Sequence, residues 1–278
     1  MRWFCISLFS CLLFLFGLSK INFINEVAFE KNILQKNILY QHNVHVVSSE
    51  VATKRQHRYL QLDIVVPNGN NSQTLIFQGE KINEKELEDR IIKSWYQFSE
   101  AEIPFINHTL SVDKNVKMKR IFNLKTRMNK IGVKKVSYAA KKHNTKKPFY
   151  FKSDYALNFY LPSNLIDNKK DKFNEVSVII GKDQNYLFNS KTITNSYLTK
   201  SIKKHFKIHG TKPIRIFINE NTLFSEYFQV LESSKKAVDE LRNEYSQKGY
   251  AVDFLSLNRE QRSFIRNRIR WYVIDDIK

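Results

Sequence analysis

Cysteine is nearly absent from this 278-residue chain, and the two it has, Cys5 and Cys11, both lie in one apolar segment at its start. Beyond that segment there is no thiol, which excludes a disulfide framework, a Cys-ligated zinc and a Cys nucleophile. Glycine and proline are scarce too, 7 and 5 residues, which excludes collagen-like and linker-like chains and leaves no Gly-rich phosphate loop. Neither a Gly-x-Ser-x-Gly elbow nor a Rossmann fingerprint occurs. Acidic residues are few: 27 against 46 Lys and Arg, a formal net charge of +19. With 42% hydrophobic residues the chain can bury a core, so global disorder is excluded as well. The charge implies an anionic partner, such as nucleic acid, phospholipid headgroups, lipopolysaccharide or cell-wall polymer, or else reflects Lys-rich codon usage.

One long hydrophobic run is present, Trp3 to Leu18 behind Arg2. A spanning helix needs about 20 residues, and this length suits a signal-peptide core. Gly17 and Ser19 offer a cleavage point at residues 19/20. Uncleaved, residues 3–24 would serve as a signal anchor. Either way the body is expected to be exported.

The charge is local. Residues 111–150 hold 13 cations against one anion, Asp113, and residues 259–270 hold five arginines against Glu260. In the first tract Val116, Ile121, Leu124, Met128 and Ile131 form an apolar helix stripe. The cations Lys114, Lys117, Lys119, Arg120, Lys125, Arg127, Lys134, Lys135, Lys141 and Lys142 are assigned to the other face and to a basic linker. This tract is a candidate surface for anions. In the second tract Arg259, Arg262, Arg266 and Arg270 share one face of an expected helix and are candidates for a partner contact. Nucleic acid is disfavoured by the export signal and by the few aromatics in residues 111–147, Phe122 and Tyr138.

An internal repeat organises the rest. Leu75 to Ile91 reads against Tyr186 to Ile202 at an offset of 111, matching Phe77 with Phe188, Ile82 with Ile193, Leu87 with Leu198 and Ile91 with Ile202. Leu110 to Phe122 then reads against Ile216 to Phe228 at an offset of 106. Each copy predicts strand, polar turn, second strand, amphipathic helix, strand, turn and helix. In the first copy Gly132 ends the helix and Val133 to Ala139 forms a closing strand.

These phrases resemble the periplasmic domain of the ExbD/TolR biopolymer-transport proteins. The second copy carries most of the likeness, in LNFYLPSN (157–164), NEVSVIIGKDQNYLFNSKTIT (174–194) and KPIRIFINENTLFSEYFQVLESSKKA (212–237). LQLDIVVP (60–67), LIFQGEKI and LSVDKNVKMKRIFNLKTRMNKIGVKKVSYA match in the first. Residues 239–269 look like the tail of long family members. The resemblance covers roughly 58–140 and 155–275. One feature of the family is missing: the apolar run holds no Asp, so proton-motor chemistry does not carry over.

The resemblance implies an α+β chain with two tandem ExbD/TolR-like domains, each a small mixed sheet with two helices on one face, plus a C-terminal helical extension. The expected bounds are 1–19 for the signal or anchor, 20–55 for a leader, 56–140 for the first domain, 141–154 for a basic linker and 155–278 for the second. The expected function is that of a non-enzymatic periplasmic component of a TonB/Tol-type energy-transducing complex, without cofactor. Implied partners are ExbB/TonB-type or TolQ-type inner-membrane proteins and a second copy in a homodimer. The alternative is an envelope anchor that grips peptidoglycan or anionic lipid through residues 114–147.

Chemistry has few other footholds. His205 and His209, at i and i+4, lack a third ligand, and Gly210 follows them, so a helix C-terminus explains them and no metal is expected. Glu84/Glu86 and Asp275/Asp276 are expected to be solvated. Asp113 and Glu220 are expected in turns after the central strands, Trp95, Tyr96 and Phe98 in core packing with an edge exposed, and Trp271 with Tyr272 at a partner contact.

Overall fold

The computed structural model describes residues 44–54, 60–68, 73–142, 155–161, 176–181 and 185–277. The signal segment, most of the leader and residues 143–154 of the basic linker lie outside them. Of the two units into which the chain divides, Met1–Asn43 with Lys147–Lys152 also lies outside, and the other holds every described residue. The class is α+β, with two sheets and five α-helices among the described residues.

In the first half the chain runs β1 (Ser48–Ser49), β2 (Thr53–Lys54), β3 (Gln61–Val66), β4 (Thr74–Phe77), β5 (Glu80–Asn83), α1 (Leu87–Trp95), β6 (Asn107–Val112), α2 (Met118–Lys130), β7 (Lys135–Lys142) and β8 (Tyr155–Tyr160). The second half follows with β9 (Val176–Ile180), β10 (Asn185–Phe188), β11 (Lys191–Thr194), α3 (Asn195–His209), β12 (Ile214–Ile218), α4 (Phe224–Tyr250), α5 (Arg259–Arg268) and β13 (Val273–Ile277). The sheet orders are β2-β8-β7-β6-β3-β4-β5, with β1 also on β7, and β11-β10-β9-β12-β13.

The repeat is present in the topology. β5-β4-β3-β6-β7 and β11-β10-β9-β12-β13 have the same order and sense: two antiparallel hairpin pairings, then two parallel ones. Register agrees residue for residue, Leu75 opposite Ile82 and Tyr186 opposite Ile193. Both hairpins turn on two residues with positive φ, Gln78-Gly79 and Asn189-Ser190, the twist that two-residue hairpins need. The helices form where apolar residues recur at helical spacing: Leu87 and Ile91 in α1, Leu198, Ile202 and Phe206 in α3, and Met118, Ile121, Leu124 and Met128 in α2. Gly132, at φ 93, stops the chain after α2.

Three expectations change. β8, expected to open the second domain, pairs antiparallel with β7 in the first sheet, Leu157 opposite Tyr138. Its alternation called for a sheet, and the closer one had an unfilled edge. Residues 44–54 are no leader: Val44, Val46 and Val47 are buried, and β1 and β2 extend the first sheet. The helical tail stops at Arg268, and residues 273–277 form a strand parallel to β12. Both halves contribute to one continuous hydrophobic core.

Candidate functional site

The two halves meet around a local two-fold axis. Equivalent residues of the repeat, 106 apart, bond reciprocally there: Met118 N–H donates to the Thr222 carbonyl at 2.8 Å and Phe224 N–H to the Val116 carbonyl at 2.8 Å. Lys117 and Leu223, also equivalent, form an antiparallel bridge between these bonds. Polar turns set up the approach on both sides. Asp113 Oδ1 accepts from Asn115 N–H at 2.9 Å, and Asn219 Oδ1 from Asn221 N–H at 2.9 Å. Asp113, expected in a turn after its strand, is buried there, and its other oxygen accepts from His45 N–H at 2.6 Å.

Beneath the bridge the symmetry breaks. Leu110 pairs across to Tyr138, while its counterpart Ile216 pairs to Asp275, so Tyr138 and Asp275 occupy equivalent positions. Tyr138 inserts its ring edge-on against Phe224 (4.9 Å between centroids), Tyr227 (6.1 Å) and Phe228 (6.4 Å) of the second half. Lys125 of α2 forms an ion pair with Asp275, each side chain 4% exposed. Tyr227 Oη donates to the other carboxylate oxygen at 2.8 Å, and the Lys125 ammonium lies 5.6 Å from the Tyr227 ring centroid. Burial, then the negative Asp275, pushes both tyrosine hydroxyls well above their usual range, so they stay neutral donors. A buried pair of this kind contributes little net stability but ties the halves in one arrangement.

Asp275 is therefore a correction, paired and buried where solvation was expected. The signal was present in the strand: alternation turns Asp275 inward and Asp276 outward, where it meets Arg215 at 3.3 Å. Lys125 likewise sits within the apolar stripe of α2, next to Leu124 and four residues from Ile121. Tyr138 and Tyr227 carried no such mark.

The structure does not gather the cations of the first tract into one patch. Arg120 lies against Glu84 at 2.9 Å and donates to the carbonyls of Pro67 (2.9 Å) and Thr74 (2.8 Å). Arg127 engages Glu88 at 2.5 Å, which holds that carboxyl below its usual value. Lys119 pairs with Glu220, and Lys117 Nζ donates to Asn221 Oδ1 at 3.1 Å. Lys135 Nζ stands 5.3 Å from the Phe105 ring centroid, and Lys114 and Lys134 are exposed. Lys141 is half-buried at the β1 junction, its amine held below the usual range by burial and then by Lys114. Lys142 ends β7. Four of its cations, Lys119, Arg120, Lys125 and Arg127, serve internal pairing, because α2 meets carboxylates of both halves.

A second buried titratable group is His108, in β6 against Trp95. Nδ1 lies 3.3 Å from the Lys135 carbonyl, and Nε2 has no hydrogen-bond partner. Burial lowers its pKa to about 4. His205 and His209 lie ring to ring at 4.6 Å on α3, and burial, then His209 and Lys212, lowers His205. Among the described residues no group of three or more His, Cys, Asp or Glu side chains is placed to hold a metal ion. Nor is any helix among them long and apolar enough to cross a membrane.

Compared with protein-family models, curated proteins and solved structures, the chain matches none.

The remaining candidates lie at the far end of α4. Arg259, Arg262 and Arg266 are on α5, while Arg270 lies beyond its end and donates through Nε to the Asn267 carbonyl at 3.1 Å. Trp271, expected at a partner contact, donates through Nε1 to Ser234 Oγ of α4 at 2.9 Å.

β13 offers the clearest free element. Its counterpart β7 carries β8 and β1 on its outer edge, whereas among the described residues no strand pairs with the outer edge of β13. Ile214 N–H donates to the Tyr272 carbonyl at 2.9 Å, so by alternation of the parallel ladder the backbone groups of Val273 and Asp275 point away from β12.

Proposed function

We propose that this chain is a non-enzymatic contact module that takes an extended partner segment onto the outer edge of β13. The observation that carries this reading is internal: the equivalent edge of the first half already holds an added strand, β8, in antiparallel register over residues 135–140. An open edge presents unpaired amides and carbonyls, and strand addition satisfies them while alternate side chains give selectivity. The duplicated strand-hairpin-helix-strand-helix-strand order supports the ExbD/TolR likeness, and with it service in a TonB/Tol-type complex of the periplasm. ExbB/TonB-type or TolQ-type inner-membrane proteins are then the partners. The halves of one chain occupy each other at the local two-fold, so this reading needs no second copy. Envelope anchoring through residues 114–147 has less support, because Arg120, Lys125 and Arg127 there are committed to internal carboxylates.

The test is copurification from detergent-solubilised membranes with full-length chain and a Val273→Pro variant. Proline removes an outward amide and spares the bonds to β12. Recovery of an ExbB/TonB-type or TolQ-type protein with the parent, lost in a variant whose melting temperature is retained, supports the reading. Equal recovery with both, or recovery with neither, refutes it.

A further inference from the structure

The hairpin of α4 and α5 ends in a fixed, apolar and cationic tip. Ala251, in the left-handed conformation at φ 56, stops α4. Gln247 Nε2 donates to Asp253 Oδ1 at 2.8 Å, Phe254 N–H to Asn243 Oδ1 at 3.0 Å, and Ser246 Oγ to the Val252 carbonyl at 2.6 Å. Asn258 then caps α5, accepting from Gln261 N–H at 2.9 Å. Phe254 and Leu257 turn inward and are buried. Between and after them Leu255 is 77% exposed and Phe264 53% exposed, with Tyr250 and Val252 also in solvent. The turn is held by hydrogen bonds on both sides, so this exposure is built into the fold rather than a frayed end.

The charge around the tip differs in kind from that on α2. Residues 248–270 hold Lys248, Arg259, Arg262, Arg266, Arg268 and Arg270 against Asp253 and Glu260. Among the described residues none of the five arginines has a carboxylate partner within salt-bridge distance. Two of them lie over aromatic rings instead, Arg266 at 5.7 Å from the Phe254 centroid and Arg268 at 5.3 Å from that of Tyr245. Guanidinium groups packed on rings keep their outer N–H donors for oxygen ligands. Large apolar side chains interleaved with arginines are the composition of a segment that lies in a headgroup layer. A polyanion in water would use the arginines and leave Leu255 and Phe264 without a role.

We propose that this tip docks on an anionic lipid bilayer, with Leu255 and Phe264 entering the acyl boundary and the arginines binding headgroup phosphates. Each arginine near such a surface adds about fivefold in affinity, and salt weakens the attraction.

Hydrogen exchange of the full chain tests it with vesicles of phosphatidylcholine alone and of phosphatidylcholine with phosphatidylglycerol. The expected result is slowed amide exchange in 250–264 with the anionic vesicles only. That protection should be lost in Leu255→Ser/Phe264→Ser and in Arg259→Gln/Arg262→Gln/Arg266→Gln, all outside the hydrophobic core. Reading exchange at the tip separates this contact from any made by the apolar N-terminal run. Unchanged exchange with anionic vesicles, or protection that survives both variants, overturns the proposal. Protection by peptidoglycan sacculi without protection by vesicles also overturns it and assigns the surface to the cell wall.

Discussion

Lys125 and Asp275, 150 residues apart, form a buried ion pair that joins the central helix of the first half to the last strand of the second. Neither has an equivalent in the other half: the repeat places Leu231 where Lys125 stands and Tyr138 where Asp275 stands. The pair therefore distinguishes two otherwise similar faces. It fixes which half presents helix and which presents strand.

Removing one partner leaves the other charge buried. Lys125→Met alone should cost about 3–5 kcal/mol, and Lys125→Met with Asp275→Asn should recover most of that, because the amide oxygen introduced there still accepts from Tyr227. Urea denaturation of the two variants measures the difference. Equal loss in both would mean that packing, not charge, matters at this point.

How much of this was legible is seen in the same two residues. The repeat, the hairpins and the helix faces followed from alternation and helical spacing, because each is a local pattern. Lys125 and Asp275 could be placed inward on their own elements by the same rules, yet no local rule says that the elements face each other. β8 shows a similar limit. The segment Tyr155–Tyr160 reads as a strand, but a strand does not name its sheet, and the long polar connection on either side left the choice to edge availability. The cationic tract shows the same limit: sequence shows where charge is, whereas the carboxylates that pair with Arg120, Arg127 and Lys119, namely Glu84, Glu88 and Glu220, come from other elements.

His108 should give the fold an acid limb. Its folded pKa of about 4 lies below the free value near 6.5, so its contribution is full above that value and is lost as pH falls toward 4. The loss reaches about 3 kcal/mol at most by linkage. His108→Leu should flatten the dependence of melting temperature on pH across this window. An unchanged slope would show that the imidazole is not buried neutral.

Gly132→Ala tests backbone conformation alone. A Cβ there meets nothing within 4 Å, so the penalty is that of φ 93, about 1–2 kcal/mol. Chemical denaturation should show a loss of that size with the slope unchanged. A neutral result would mean that the turn after α2 relaxes.

The central claim, that β13 receives a partner strand, is tested most directly by a photocrosslinking amino acid in place of Asp276, in cells producing the full chain. Asp276 lies on the edge strand, with its side chain on the outer face of the sheet beside Arg215. The account predicts an adduct with an ExbB/TonB-type or TolQ-type membrane protein, weakened by Val273→Pro. Adducts at the β5 or β11 edge and none at β13 would contradict it.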